Sequence, residues 1–252
     1  MNDRLIRLLW SGKLLVKYLL LAPFRPSAAR AFLAHIYFYE PIPLCTRISS
    51  GPLPTFLPAV RQDSVIMQGA FSEHGNMTHE ELYNLCLLLK HKDAKTVFEF
   101  GTFNGNTTFH LALNGNPSAR ILTLNLPGPA TETEFSHSAE DRKVVRDKTR
   151  SGERFHGTPQ AAKIQELFGD SATFDYSPFR NSIEFALIDA GHEYEYVKND
   201  TEKALVMVKP GGMLVWHDFP NAPGVARYLT EISTQFKVMH ISGTRLAFAW
   251  KQ

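Results

Sequence analysis

Apolar strand-like runs alternate with helical stretches from residue 78 onward, and this alternation constrains the fold more than any other feature of the chain. The clearest strand-like runs are Thr96–Phe100, Ile121–Asn125, Phe185–Asp189 and Met213–His217. Helical stretches lie between or after them, around residues 107–113, 194–208 and 225–236. Strands that alternate with helices build βαβ units, and hence a parallel sheet with helices on its faces. The pattern therefore predicts an α/β domain.

Both ends of this domain carry signals of their own. Residues 78–81 read Thr-His-Glu-Glu, the sequence of a capping box, which predicts a helix from there to about residue 89. Residues 238–241 and 246–250 flank a Ser-Gly-Thr sequence and predict a terminal hairpin. We therefore divide the chain into an N-terminal extension, residues 1–75, and an α/β domain, residues 76–252.

The N-terminal extension lacks the alternation. Residues 5–10 and 14–21 could each form a short helix, whereas segment 41–58 is too rich in Pro and Gly for regular structure and is typical of an arm or linker. The apolar run 14–24 is interrupted by Lys17 and is shorter than the about 20 residues that a membrane-spanning helix needs. A cleaved signal peptide is disfavoured, because Pro and Arg occupy the place of a small-residue cleavage site.

Charge is concentrated at the same end of the chain. Residues 1–30 contain six basic residues and one acidic residue, so that segment could bind an anionic membrane surface. The basic residues do not share one helical face, as an interfacial helix would require, so we favour packing on the domain or on a second subunit. The prediction is a cytoplasmic protein with at most peripheral membrane contact through residues 1–35, and the arm leaves room for a homo-oligomer.

Composition excludes several classes of protein. The chain has 27 Lys and Arg residues against 25 Asp and Glu residues, a balance that argues against a nucleic-acid partner. Its two cysteines, Cys45 and Cys86, lack CxxC spacing and cannot build a disulfide framework or a cysteine zinc site. This cysteine usage fits a reducing cytoplasm.

A glycine-rich turn follows the first strand of the α/β domain. The strand contains Glu99, the turn runs from Gly101 to Gly105, and a helix begins directly after it. Such a turn lets the backbone approach a ligand closely and directs free helix N–H groups at its polar part. The glycine spacing is not that of the dinucleotide motif GxGxxG, and an ordinary turn is the alternative interpretation.

Two apolar strands each end in an aspartate. Asp189 follows one strand and Asp218 follows the other, and a single helix with a Pro-Gly-Gly turn joins them. Ligands of open α/β sheets bind at the carboxyl ends of strands, and neighbouring strands lie about 4.8 Å apart, so both carboxylates could hold one divalent ion. The alternative is that each aspartate caps the next helix or turn. His192 lies near Asp189, and the usual histidine pKa of about 6.5 suits removal of a proton from an alcohol.

Taken together, these motifs resemble the class I S-adenosylmethionine (SAM)-dependent methyltransferases. Within that class the chain is similar to the bacterial branch that includes the macrocin-type sugar O-methyltransferases, over about residues 74–252. The resemblance is carried by Glu99-x-Gly101-x-x-x-Gly105, Gly169-Asp170-Ser171, Ile188-Asp189-x-x-His192 and Lys209-Pro210-Gly211-Gly212. It implies a Rossmann-like, seven-stranded, mostly parallel sheet with an antiparallel last strand.

The resemblance also implies the roles of individual residues. The cofactor would contact Glu99, Gly101, Thr102, Asn104, Gly105, Asn125, Gly169, Asp170, Ser171 and Asp189. Among these, the residues from Glu99 to Gly105 would surround its methionine part, and Asp170 would meet its adenine amino group. A magnesium ion would be held by Asp189, His217 and Asp218, and His192 would be the general base.

The chain departs from the family at two of these positions. Asn125 replaces the acidic residue that usually binds both ribose hydroxyls, although an amide can still accept one hydrogen bond and donate another. His217 stands where macrocin-type enzymes carry a glutamate, and a neutral imidazole binds magnesium less well than a carboxylate. The metal could therefore be manganese or another transition ion, or no metal at all.

The implied reaction is methyl transfer from SAM to a hydroxyl oxygen of a small molecule, such as a sugar or a polyhydroxylated natural product. One alternative is a cofactor-binding scaffold without activity. A nicotinamide-dependent oxidoreductase is disfavoured, because GxGxxG is missing and Asn125 replaces the ribose acid. The long polar insert at about residues 126–166 suggests a lid over the site, and a solvated charged helix over residues 139–149 is the alternative for its middle.

Overall fold

The computed structural model describes residues 48–69, 75–128, 131–137, 141–143 and 151–252. The two N-terminal helices, the uncleaved apolar segment and the membrane contact predicted for residues 1–35 lie outside these ranges. Within the described ranges, no helix combines the length and the apolar character needed to cross a membrane.

The described residues form one eight-stranded sheet. Its strands in chain order are β1 (Ser49–Gly51), β2 (Thr96–Phe100), β3 (Arg120–Asn125), β4 (Ile164–Phe168), β5 (Ile183–Ile188), β6 (Val208–Trp216), β7 (Met239–Ile241) and β8 (Ala247–Trp250). The order across the sheet is β1-β7-β8-β6-β5-β2-β3-β4. Only the two pairings of β8 are antiparallel. The predicted α/β class and the antiparallel last strand are therefore confirmed, as is the terminal hairpin of β7 and β8.

Five α-helices accompany the strands in the described part of the chain. They are α1 (Leu53–Phe56), α2 (His79–Lys92), α3 (Asn106–Asn114), α4 (Tyr194–Met207) and α5 (Pro223–Ile232). Short 3-10 helices lie at Pro58–Gln62, Pro159–Lys163 and Ser177–Phe179. Helices α3 and α4 begin shortly after β2 and β5. The N-termini of these helices therefore lie near the carboxyl ends of the two central strands.

The prediction of seven strands was wrong, because a strand forms within segment 41–58, for which we predicted no regular structure. Strand β1 adds to the edge of the sheet, where Ser49 pairs with Met239 of β7. Its sequence, Ser-Ser-Gly, has weak intrinsic strand preference, so the pairing depends on a partner far along the chain. Helix α1 then places Leu53 in the core, where it is 1% exposed.

A second difference concerns the insert, because strand β4 begins at Ile164. The predicted insert of residues 126–166 therefore ends at residue 163. The sequence of β4, Ile-Gln-Glu-Leu-Phe, mixes polar and apolar residues, and β4 lies at the other edge of the sheet. Edge strands commonly carry such polar residues, which weakens their signal in a sequence.

The capping box predicted at the start of α2 is confirmed. The Thr78 hydroxyl accepts a hydrogen bond from the Glu81 N–H at 3.2 Å, and the Glu81 carboxylate accepts one from the Thr78 N–H at 2.8 Å. We expect Thr78→Ala to lower the free energy of unfolding by about 1 kcal/mol, because one N–H group at the helix start loses its acceptor. Urea unfolding measures this difference. Thr78→Ser keeps the hydroxyl and should match the wild type, and equal losses in both variants would contradict the assignment.

Candidate active site

Three side chains meet where β5 and β6 end. Ile188 pairs with Trp216 in the sheet, so the residues that follow them, Asp189 and His217, lie side by side at the ends of the two strands. His217 Nδ1 lies 3.1 Å from Asp189 Oδ1 and 2.9 Å from Asp218 Oδ2. The two aspartates that were predicted to share this edge of the sheet are thus linked through one imidazole.

His192 joins the same group from the start of the α4 region. Its Nε2 lies 2.8 Å from Asp218 Oδ2. Asp189, His192 and Asp218 each offer one ligand atom, and these three atoms lie within 4.8 Å of one another. A divalent ion could therefore be held by Asp189, His192 and Asp218, whereas the sequence predicted His217 as the third ligand. His217 remains next to this group, in contact with both carboxylates.

Asp141 is a residue of the site that sequence analysis missed. Its Oδ1 lies 2.6 Å from His192 Nδ1, and its Oδ2 accepts a hydrogen bond from the His192 backbone N–H at 3.3 Å. Asp141 belongs to the insert, where residues 141–143 form a helical turn. In the sequence it is one of several charged residues in a polar run, so no local signal distinguished it.

Glu81 and Arg245 form a second layer behind Asp218, and both were missed as site residues. Arg245 Nη1 donates to Asp218 Oδ1 at 2.7 Å, and its Nε donates to Glu81 Oε1 at 2.8 Å. Glu81 Oε2 also lies 3.4 Å from His217 Nε2. The sequence indicated only the capping role of Glu81, whereas its carboxylate also connects the hairpin to the site.

These contacts shift the pKa values of the cluster. Burial lowers the pKa of His192, but hydrogen bonds to Asp141 and Asp218 outweigh it and hold that pKa well above its usual value. The pKa of His217 is also raised, because Asp189 and Asp218 outweigh the effect of burial. Burial raises the pKa of Asp218, yet the neighbouring His217 and His192 bring it well below its usual value. Opposite charges thus stabilise each other in this partly buried cluster.

The glycine-rich turn lies directly against the loop that carries Asp189. Gly101 has φ +95°, and a Cβ atom there would lie 2.2 Å from the backbone oxygen of Asp189. Gly105 has φ +84°, and a Cβ atom there would lie 2.6 Å from the ring of Phe155 in the insert. Both glycines are therefore required by close packing and by backbone conformation. The intervening Thr102 and Asn104 are buried.

Glu99 is fully buried beneath this turn. Its Oε2 accepts hydrogen bonds from the hydroxyls of Thr108 at 2.5 Å and Thr123 at 2.6 Å. Its Oε1 is buried and has no hydrogen-bond partner among the described residues. Burial raises the pKa of Glu99 to about 8, although the two hydroxyls oppose this rise. The carboxyl group is therefore protonated at neutral pH and has an oxygen without a partner.

Asp170, which was predicted to meet adenine, is covered by the insert. Its Oδ2 accepts a hydrogen bond from the Glu134 N–H at 2.7 Å, and its Oδ1 accepts one from the Tyr196 hydroxyl at 3.2 Å. The ring of His137 stacks on Tyr196 with centroids 4.5 Å apart. Of its predicted neighbours, Ser171 is buried with it, and the N–H of Gly169, the other neighbour, donates to the backbone oxygen of Asn125 at 3.0 Å.

The family's acidic residue is missing at Asn125, but the carboxylate of Glu166 on strand β4 lies close to it. Asn125 donates to the Ser151 hydroxyl at 2.8 Å, and that hydroxyl donates to Glu166 Oε1 at 3.0 Å. His156 Nε2 lies 2.6 Å from Glu166 Oε2. Sequence analysis missed Glu166, because it assigned this residue to the insert instead of to strand β4.

Residues 98–219 match the family model described as a methyltransferase domain. The match begins in β2 and ends just after Asp218, so it spans the glycine-rich turn and the aspartate cluster. It supports the coarser part of the resemblance, a methyltransferase domain, while the macrocin-type branch stays a prediction. No curated protein matches the chain.

Two solved structures illustrate the fold. The O-methyltransferase TomG from Streptomyces achromogenes, described as involved in tomaymycin synthesis and solved in complex with SAM, is 18% identical, with 75% of this chain and 92% of TomG covered and a TM-score of 0.54. An O-methyltransferase from Bacillus cereus in complex with SAH is 15% identical, with 71% and 84% covered and a TM-score of 0.49. The likeness to TomG shows that the described domain has a Rossmann-like α/β fold.

Proposed function

We propose that the protein transfers a methyl group from SAM to a hydroxyl oxygen of a small molecule. The observation that carries this proposal is the meeting of Asp189, His192 and Asp218 at the carboxyl edge of the sheet, directly beside the glycine-rich turn. The family match, which covers both features, supports the same reaction. A sugar or a polyhydroxylated compound is the acceptor class that we propose.

The surroundings of Glu99 indicate whether this site can hold the cofactor. A buried oxygen without a partner is costly, and an ammonium group is a strong donor that would satisfy it. The methionine part of SAM carries such a group, so we assign it to Glu99 and the glycine-rich turn. The other proposed cofactor contacts are Gly101, Thr102, Asn104, Gly105, Asn125, Gly169, Asp170, Ser171 and Asp189.

The donor set also fits a divalent metal. Carboxylates alone suit magnesium, whereas the imidazole among these donors suits manganese or another transition ion equally well. We propose Asp189 and Asp218 as ligands, with an imidazole from His192 or His217 completing the set. Such an ion would hold the acceptor oxygen and lower its pKa.

The residues of the chain position the acceptor and receive its proton. When bound, SAM would supply its methyl group to the acceptor oxygen and would leave as S-adenosylhomocysteine (SAH). The hydroxyl proton would go to Nε2 of neutral His192, a form that exists mainly above the pKa of this imidazole, which Asp141 and Asp218 raise. Alignment of the two reactants contributes roughly 7–11 kcal/mol to such reactions.

A methyl-transfer screen tests the proposal. Wild type and Asp189→Ala are incubated with labelled SAM and a panel of sugars, catechols and polyphenols, with and without EDTA. We expect methylation by the wild type, loss of it in Asp189→Ala, and loss of it with EDTA. Asp175→Ala removes an exposed aspartate and serves as the control.

Other outcomes of the screen discriminate the rival functions. SAM that is bound but never consumed by the wild type would indicate a scaffold. Hydride transfer from a nicotinamide cofactor would indicate an oxidoreductase. The small-molecule acceptor, the absence of a nucleic-acid partner and the cytoplasmic location all stay predictions.

A further inference from the structure

The insert between β3 and β4 directs the carboxylate of Asp141 into the site. Asp141 is 7% exposed, whereas Arg142 and Lys143, the next two residues of the same helical turn, are exposed. Burial of an acidic side chain in a charged surface segment is costly unless a partner compensates it. The partner is His192, which Asp141 contacts at two atoms.

The geometry of this contact fixes the imidazole ring. One carboxylate oxygen of Asp141 meets Nδ1 of the His192 ring at 2.6 Å, and the other accepts from the His192 backbone N–H at 3.3 Å. The ring is therefore held relative to its own backbone. With Nδ1 held by Asp141, the His192 ring presents Nε2 to Asp218 at 2.8 Å.

Nothing in the loop of His192 itself gives the ring this orientation. The backbone oxygen of His192 packs closely on Gly224, where a Cβ atom would lie 2.3 Å away, so the backbone is fixed by packing. The side chain is 35% exposed, and its ring nitrogens contact Asp141 and Asp218. Orientation of the ring thus depends on a residue from another part of the chain.

The insert is attached on both sides of Asp141. On one side, the Glu134 N–H donates to Asp170 at 2.7 Å. On the other side, the Arg154 N–H donates to the backbone oxygen of Asn104 at 3.0 Å. Asp141 is thereby placed by contacts with the same elements that form the proposed cofactor site.

From these observations we propose that Asp141 is a positioning residue, which the insert supplies to hold the His192 ring against Asp218 in the proposed active site. The inference rests on the proposed function. Asp141 contacts neither reactant in this arrangement and acts only through His192. The insert therefore contributes a residue to the proposed active site.

The test compares Asp141→Asn and Asp141→Glu with the wild type. An amide at residue 141 keeps the size of the carboxylate but removes its charge, so it should hold the imidazole ring of His192 less firmly. We expect kcat for the acceptor found in the screen to fall roughly 100-fold in Asp141→Asn. The acceptor KM and the affinity for SAH should stay within about twofold, and Asp141→Glu should recover part of kcat. Glu132→Gln, an exposed acid-to-amide change in the same insert, is the control.

A spectroscopic measurement keeps the inference separate from the proposed function. In protein labelled with ¹⁵N-histidine and assigned with His192→Gln, the two ring nitrogens of His192 are followed by NMR at one fixed pH. Asp141→Asn should shift both resonances, and Glu132→Gln should leave them unchanged. Unshifted resonances, or an unchanged kcat, would overturn the inference. If the resonances shift in Asp141→Asn but the wild type methylates nothing, the proposed reaction is overturned, whereas the positioning of His192 by Asp141 is supported.

Discussion

An Arg245→Met variant is expected to lose about 3 kcal/mol of unfolding free energy. Arg245 neutralises Glu81 and Asp218, whose side chains are 3% and 15% exposed. Removing one member of a buried ion pair typically costs about 3–5 kcal/mol, because the remaining charge has no partner. The Arg245 side chain is 30% exposed, so water can replace part of its contribution, and we expect a loss at the low end of that range.

Urea unfolding at pH 7 measures this loss. Arg227→Met is the matched control, because Arg227 is exposed and its guanidinium lies over the Tyr194 ring at 4.3 Å. Such an exposed contact contributes about 0.5–1 kcal/mol at most. Equal losses in the two variants would show that Arg245 does not hold the cluster together. The double variant Glu81→Gln with Arg245→Met should lose less unfolding free energy than the sum of the losses in the two single variants, because the two residues interact directly.

A Glu99→Gln variant is expected to become more stable than the wild type as the pH rises. The pKa of Glu99 is about 8 in the folded protein, against 4.5 as its ordinary value. Between these two values the folded state keeps a proton that the unfolded state has lost, so the unfolding free energy of the wild type falls with rising pH. The whole effect is at most about 5 kcal/mol. A glutamine side chain does not titrate in this range, so the unfolding free energy of the variant should lack this fall with rising pH.

Unfolding is measured at pH 5 and at pH 8.5 for both proteins. The stability difference between them should be small at pH 5 and large at pH 8.5. Glu202→Gln, an exposed change on α4, is the control and should leave the pH dependence as in the wild type. Parallel pH curves for Glu99→Gln and wild type would contradict the raised pKa. The same variant should bind SAH at least roughly tenfold more weakly, because a bound ammonium group would favour the ionised form of Glu99, whereas an amide cannot acquire a negative charge.

The sequence predicts the sheet because its central strands are buried on both faces. Strands such as β2 and β5 are continuous apolar runs, and the alternation with helices fixes their parallel direction. Strand β1 has no comparable signal. Its serines and glycine form a strand only because β7 lies beside them, and that partner is distant in sequence.

The same distinction applies to the site. Asp189 and Asp218 could be predicted because each directly follows a recognisable strand, and parallel strands end at one edge. Asp141, Glu81 and Arg245 could not, because each reaches the cluster from an element whose position depends on tertiary packing. Glu81 gave a strong local signal, but for a helix cap, and a sequence does not reveal that one carboxylate serves two purposes.

The central claim is that the glycine-rich turn and Glu99 bind SAM. Isothermal titration calorimetry of the wild-type protein with SAM, SAH and NAD⁺ tests it most directly, because it needs no knowledge of the acceptor. We predict saturable one-site binding of SAM and of SAH, with weaker binding in Glu99→Gln and no binding of NAD⁺. Folded wild-type protein that binds NAD⁺, or that binds neither SAM nor SAH, would contradict this account.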